Sequence, residues 1–125
     1  ALTVRVRNYS VPSWARAFHV ASFVKLSILQ YTMFEKLIFI DNDCQAVRNI
    51  DHLAEVAAPA FVFHRQDNGL NSGVMIIEPN AQAAGRMWDT FHRLNSNGSR
   101  YRSGRAAGSG SDQDVWNAFY AEELR

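Results

Sequence analysis

Polar and apolar positions alternate at the start of the chain and then fall into longer blocks. Leu2, Val4 and Val6 alternate with Thr3, Arg5 and Arg7, which predicts a short strand. Val11-Pro12-Ser13 breaks it and could cap a helix. From Trp14 to Met33 apolar residues recur at helical spacing, with Phe18, Ala21, Val24 or Lys25, Ile28, Leu29 and Thr32 on one stripe. Leu37-Ile38-Phe39-Ile40 is a continuous apolar run, the pattern of a strand buried on both faces in the middle of an α/β sheet.

Further along, Val47 to Val56 reads as a short helix or turn, and Ala60 to Phe63 as a second apolar run. Asp67 to Gly73 is turn-rich, and Val74 to Ile77 is a third buried-type strand closed by Pro79. Ala81 to Leu94 predicts a helix with Ala84, Met87, Trp88, Phe91 and Leu94 on its core face. Residues 95–111 are rich in Asn, Ser, Gly and Arg and predict a mobile loop. A last helix starts at Ser111-Asp112-Gln113-Asp114 and carries Val115, Trp116, Phe119, Tyr120 and Leu124. The element order predicts one α/β layered domain.

Composition adds little to this picture. The 125 residues fit one domain, with 47% apolar and 20% charged residues. The formal charge is +1 and basic residues are dispersed, so no nucleic acid or other polyanionic partner is implied. No apolar run approaches a membrane span. The single cysteine, Cys44, excludes an internal disulfide.

The chemistry concentrates where the buried strand ends, at Asp41-Asn42-Asp43. Carboxyl ends of strands in α/β sheets are where ligands bind. Two aspartates there suit a hard divalent ion that keeps positions open for substrate phosphates. The alternative is that both aspartates merely form the turn. An EF-hand is disfavoured by Ala46 in the glycine position. A haloacid-dehalogenase-type phosphatase, with Asp41 as nucleophile, is weakened by Gln45 where that family carries Thr or Val. Lys25 taken alone reads as an exposed lysine, and Ser111 with Asp114 as a variant capping box.

Several segments together resemble glycosyltransferase family 8, the glycogenin-like enzymes. Phe34 to Asp43 is similar to that family's strand and metal motif, and Val47 to Leu53 to the segment that follows it. Val24-Lys25-Leu26 matches a donor-contacting lysine, Leu70 to Met75 the segment lining the donor sugar, and Ser111 to Phe119 the helix start closing the sugar site. The resemblance spans roughly residues 22–120.

It implies a GT-A fold, a Rossmann-like three-layer α/β/α domain, and retaining transfer of a hexose from a UDP-sugar, UDP-glucose or a related donor. It further implies Mn²⁺ or Mg²⁺ held by Asp41 and Asp43, and donor contacts from Lys25, Asp41, Asn42, Asn71, Ser72 and Gly73. Asp112 and Gln113 would act at the anomeric carbon, with Asp114 as a fallback. The acceptor would be a carbohydrate or a protein, a homodimer is compatible, and both cytoplasmic and Golgi locations are known for such enzymes. Against the family pattern, the chain shows no Thr- and Asn-rich uridine segment and no His-x-x-Gly-x-x-Lys segment, and Ser109 stands where an aspartate is common. The expectation is therefore a partial, central piece of the catalytic domain. A catalytically inactive sugar- or partner-binding remnant of the same fold is the alternative.

Overall fold

A computed structural model describes residues 11–12, 14–65, 69–96 and 110–123. The strand expected over residues 2–7 and most of the loop expected over 95–111 lie outside them. The described residues form a mixed α/β domain with a small antiparallel sheet, compatible with part of a GT-A-like domain.

Three strands, β1 (Leu37–Ile40), β2 (Ala60–His64) and β3 (Gly69–Ile77), lie in the order β1-β3-β2. Both neighbours run antiparallel to β3. All four residues of β1 are half-buried, against the expectation of burial on both faces. Among the described residues β1 lies at the edge of this sheet and pairs with β3 alone. β3 is longer than expected and takes in Gly69 to Gly73, which the sequence reads as a turn. Its pairing with β2 is irregular there: Phe61 faces Met75, but the next residue, Val62, faces Asn71. This bulge carries Ser72, Gly73 and Val74 past β2, and bulges commonly re-aim side chains beside binding sites.

The segment Ala17–Gln30 winds as a tight 3₁₀ helix. With three residues per turn, positions three apart align. Phe23, Leu26 and Leu29 form one such line and are buried. The expected stripe assumed 3.6 residues per turn, and it fails at its start: Phe18 is 91% exposed, and Val24 and Ala21 are also exposed. Ser22 Oγ donates to His19 O at 2.8 Å and Ser27 Oγ to Val24 O at 2.7 Å, side-chain bonds that match the three-residue repeat.

Two α-helices complete the core. α1 (Ala81–Ser96) buries Ala84, Met87, Thr90, Phe91 and Leu94, with Trp88 half-buried against Phe91. Asn80 caps it, its Oδ1 accepting from the Gln82 and Ala83 N–H groups at 2.9 Å each. α2 (Asp112–Glu123) buries Val115, Trp116, Ala118 and Phe119. Both helices pack on each other, on the 3₁₀ helix and, through α2, on β3. Met75 and Ile77 of β3, with Leu37, Phe39 and Phe61, present the sheet face to them. Each fully buried side chain of Leu26 or Met87 type contributes about 1.5–3 kcal/mol. Among the described residues no helix is long and apolar enough to cross a membrane.

Candidate active site

The site begins with the turn that ends β1. The Cys44 N–H donates to Asp41 O at 3.0 Å, closing a β-turn over Asp41 to Cys44. The Asp41 N–H donates to Gly73 O at 2.8 Å and ties this turn to the bulge in β3. The turn is held by backbone bonds, which leaves the Asp41 side chain for another partner. That partner is Lys25, whose Nζ lies 2.7 Å from Asp41 Oδ2.

Lys25 is not a solvated lysine. Its side chain is 10% exposed, it sits 5.4 Å from the centre of the Phe39 ring, and its Nζ is 3.9 Å from Asp112 Oδ2. The 3₁₀ winding places Lys25 one turn below Ser22, and both line the same cleft.

The opposite wall is the start of α2. Gly110 precedes it with φ +70°, a left-handed conformation that glycine adopts freely. The Arg16 N–H donates to Gly110 O at 3.0 Å, so the beginnings of the 3₁₀ helix and of α2 are joined. Ser111 Oγ accepts from the Gln113 N–H at 3.2 Å, and Asp114 Oδ2 accepts from the Gly110 N–H at 2.8 Å. These bonds make the variant cap that the sequence suggested, with the acid reaching one residue further back. Asp112 is thereby buried in the first turn, 2% exposed, where the helix dipole favours an anion. Its Oδ2 is buried and receives no hydrogen bond. Burial pushes the Asp112 carboxyl above the usual aspartate range; Lys25 and the hydroxyls of Ser22 and Ser72 pull it down, and the charge of Asp41 pushes it up.

The third wall is the bulge. Asn71 Oδ1 accepts from the Gly73 N–H at 2.8 Å, and Gln113 Oε1 from the Ser72 N–H at 3.4 Å. A Cβ on Gly73 would stand 2.9 Å from Asn71 Oδ1 and 3.5 Å from Asp41 Oδ2, so only glycine leaves this approach open.

Nine of the ten residues singled out from the sequence, Lys25, Asp41, Asn42, Asp43, Asn71, Ser72, Gly73, Asp112 and Gln113, line one cleft of about 730 Å³; the tenth, the fallback Asp114, does not line it and is turned to the Gly110 N–H as part of the cap. Ser22, Ser111, Cys44 and the apolar residues Phe18, Ala21 and Val24 line it too and were not singled out. Ser22 could have been found from its three-residue offset to Lys25.

The donor set allows a metal test. Asp41 and Asp43 offer hard carboxylate oxygens on one exposed-to-half-buried turn. Among the described residues no group of three His, Cys, Asp or Glu is placed to hold an ion. Two carboxylates fit an ion whose other positions are filled by ligand oxygens and water.

The chain is similar to known glycosyltransferases over part of its length. It is 36% identical over 47 residues to galactinol synthase 1 of Solanum lycopersicum, covering 38% of this chain and 15% of that protein. It is 39% identical over 79 residues to a UDP-glucuronate:xylan alpha-glucuronosyltransferase 5 of Arabidopsis thaliana, named there as putative, covering 62% of this chain and 14% of the relative. With UDP-glucuronate:xylan alpha-glucuronosyltransferase 1 of the same plant it shares 40% over 80 residues, 60% of this chain and 11% of the relative. The chain thus spans about a seventh or less of these relatives. No family model matches it. The likeness supports a glycosyltransferase relationship, without singling out the glycogenin-like branch.

Proposed function

We propose that the chain is the donor-binding core of a metal-dependent glycosyltransferase that moves a hexose, with retention, from a UDP-sugar to an acceptor hydroxyl. The observation that carries this reading is the cleft itself. It sets two carboxylates at its lip, a largely covered lysine beside them, and a buried carboxylate with an unbonded oxygen near a bulge that carries Gly73.

Asp41 and Asp43 would hold Mn²⁺ or Mg²⁺, which when bound supplies charge to offset that of the departing diphosphate. Asn71 and Ser72 would take sugar hydroxyls, and Gly73 admits the ring against the backbone. Asp112, held away from water, would bond a sugar hydroxyl and stabilise positive charge at the anomeric carbon as the C1–O bond breaks. The electron pair leaves on UDP, the acceptor oxygen forms the new C1–O bond, and the acceptor proton is released. Gln113 would keep Ser72 in place. The relatives' names support the transfer class, and UDP-glucuronate stands in the donor panel because two of them are named for it.

The experiment is a donor panel of UDP-glucose, UDP-galactose and UDP-glucuronate, assayed for UDP release with Mn²⁺, with Mg²⁺ and with chelator. UDP release from one donor that depends on the ion and vanishes in Asp41→Ala and Asp43→Ala supports the reading. Unchanged release in both variants refutes the metal assignment. A folded protein with no release from any donor favours the second reading, a sugar-binding remnant, which the engagement of Asp41 Oδ2 by Lys25 also suits.

A further inference from the structure

Lys25 is one cation facing two acceptors. Its ammonium is bonded to Asp41 Oδ2 at 2.7 Å, while Asp112 Oδ2 stands at 3.9 Å, buried and without a hydrogen bond. A buried carboxylate oxygen left open is costly, and native structures seldom tolerate it without a use. An ammonium carries three donors on a flexible stem. A shift of about 1 Å would bring Nζ into the range of a charge-assisted bond to Asp112. The Phe39 ring beneath it does not oppose such a shift, because its attraction for a cation is broad.

What would move the lysine is also present. Asp41 shares its turn with Asp43, and both carboxylates border the cleft. A divalent cation arriving on that turn competes for Asp41 Oδ2 and repels the ammonium. Asp112 Oδ2, 3.9 Å away and without a hydrogen bond, stands ready to accept the displaced charge.

We propose that Lys25 is a shared cation, passed from Asp41 to Asp112 when a divalent ion bearing a nucleoside diphosphate occupies the Asp41–Asp43 turn. In the free cleft the lysine neutralises the turn. In the loaded cleft it completes the bonding of Asp112, so occupancy at the lip is felt at the floor. Lys25 is in this sense a positioning residue. The inference rests on the metal-dependent reading above.

The test is a double-mutant cycle on Mn²⁺ binding in the presence of UDP, read from the electron-spin resonance of free Mn²⁺, with Lys25→Met, Asp112→Asn and the double variant. Asp112→Asn is expected to weaken Mn²⁺ binding about tenfold or more when Lys25 is present, the effect of losing one charge-assisted bond. In the Lys25→Met background it is expected to change nothing. An equal effect in both backgrounds, or none in either, overturns the handover and leaves the metal site standing. Failure of the unaltered protein to bind Mn²⁺ with UDP sinks the metal reading and the handover together. A second measurement needs no variant. Nitrogen NMR of the Lys25 ammonium is expected to show coupling to the Asp41 carboxyl carbon in the free protein and to the Asp112 carboxyl carbon with Mg²⁺ and UDP. Coupling that stays with Asp41 overturns the proposal.

Discussion

The side-chain amide of Asn117 clamps the backbone of Leu70, accepting from its N–H at 2.9 Å and donating to its C=O at 3.2 Å. One helical turn earlier on α2, Gln113 accepts from the Ser72 N–H. Leu70 and Ser72 are two apart on a strand, so their polar groups point the same way about 6–7 Å apart. Gln113 and Asn117 are four apart on a helix, about 6 Å along its axis. α2 therefore stands in for a neighbouring strand along the part of β3 that runs past the end of β1. Asn117→Ala should leave two half-buried backbone groups unpaired and cost about 1–3 kcal/mol in urea denaturation. Amide exchange should quicken at Leu70 while the far end of β3, at Ile76 and Ile77, keeps its protection. Equal quickening along all of β3 would mean that the clamp serves only global stability.

Asp112 links stability to pH. Its folded-state pKa is raised, chiefly by burial, so the folded form holds a proton that the unfolded chain gives up at the ordinary value of about 4. Stability should fall as pH climbs from that ordinary value through the raised one, and stay at the lower level above it. Asp112→Asn carries no such penalty. It should be more stable than the unaltered protein at pH 7, with the gap closing as pH falls toward about 4. Transfer, if Asp112 faces the anomeric carbon, should drop by about 10²–10³-fold in the same variant. Thermal melts at the two pH values together with initial rates check both halves, and a variant less stable at pH 7 would contradict the burial argument.

Several of these features could be read from the sequence, and the exceptions have local causes. Leu37–Ile40 has the expected bounds because an apolar run flanked by Lys36 and Asp41 has one sensible length. α1 begins at Ala81 as expected because its apolar period is regular. The 3₁₀ helix lies where the spacing predicts a helix, and Ile28 and Leu29 of the expected stripe are buried, but Phe18, Ala21, Val24 and Thr32 are exposed, since Phe23, Leu26 and Leu29 repeat every three residues rather than every 3.6. Gly69 to Gly73 reads as a turn by composition, and its pairing with β2 together with Gln113 and Asn117, more than forty residues away, holds it extended. The same distance hides Asn117. A hint was present, in a polar residue four after Gln113 on a helix otherwise buried on that side.

The cap on α1 gives a prediction confined to stability. Asn80 Oδ1 satisfies two of the helix's four unpaired N–H groups, and the Asn80 N–H donates to Leu29 O at 3.0 Å. Asn80→Ala should lose about 1 kcal/mol of unfolding free energy, and Asn80→Asp or Asn80→Ser should recover most of it. Activity per folded molecule should not change, because Asn80 does not line the cleft. A rate loss in folded Asn80→Ala would show that α1 reaches the site by a route not visible in these contacts.

Gly73 separates the site from the scaffold. An added methyl would meet Asn71 Oδ1 at 2.9 Å, the free end of a side chain that can swing away, and Asp41 Oδ2 at 3.5 Å, an ordinary contact. Gly73→Ala should therefore fold with a stability change below about 1 kcal/mol. The displaced Asn71 amide would release the Gly73 N–H, however, and the methyl would fill the space between the bulge and the Asp41 turn. UDP-sugar binding should weaken about tenfold or more, the cost of one lost contact plus the lost approach. Gly110→Ala is the natural comparison. There φ is +70° and the new Cβ would stand 3.1 Å from the Arg16 backbone nitrogen, which cannot swing away. That variant should lose about 1 kcal/mol or more of stability. Titration calorimetry and denaturation on both variants should thus give opposite profiles, binding lost in one and stability lost in the other. If Gly73→Ala bound UDP-sugars as the unaltered protein does, the bulge would not be the wall of a donor site.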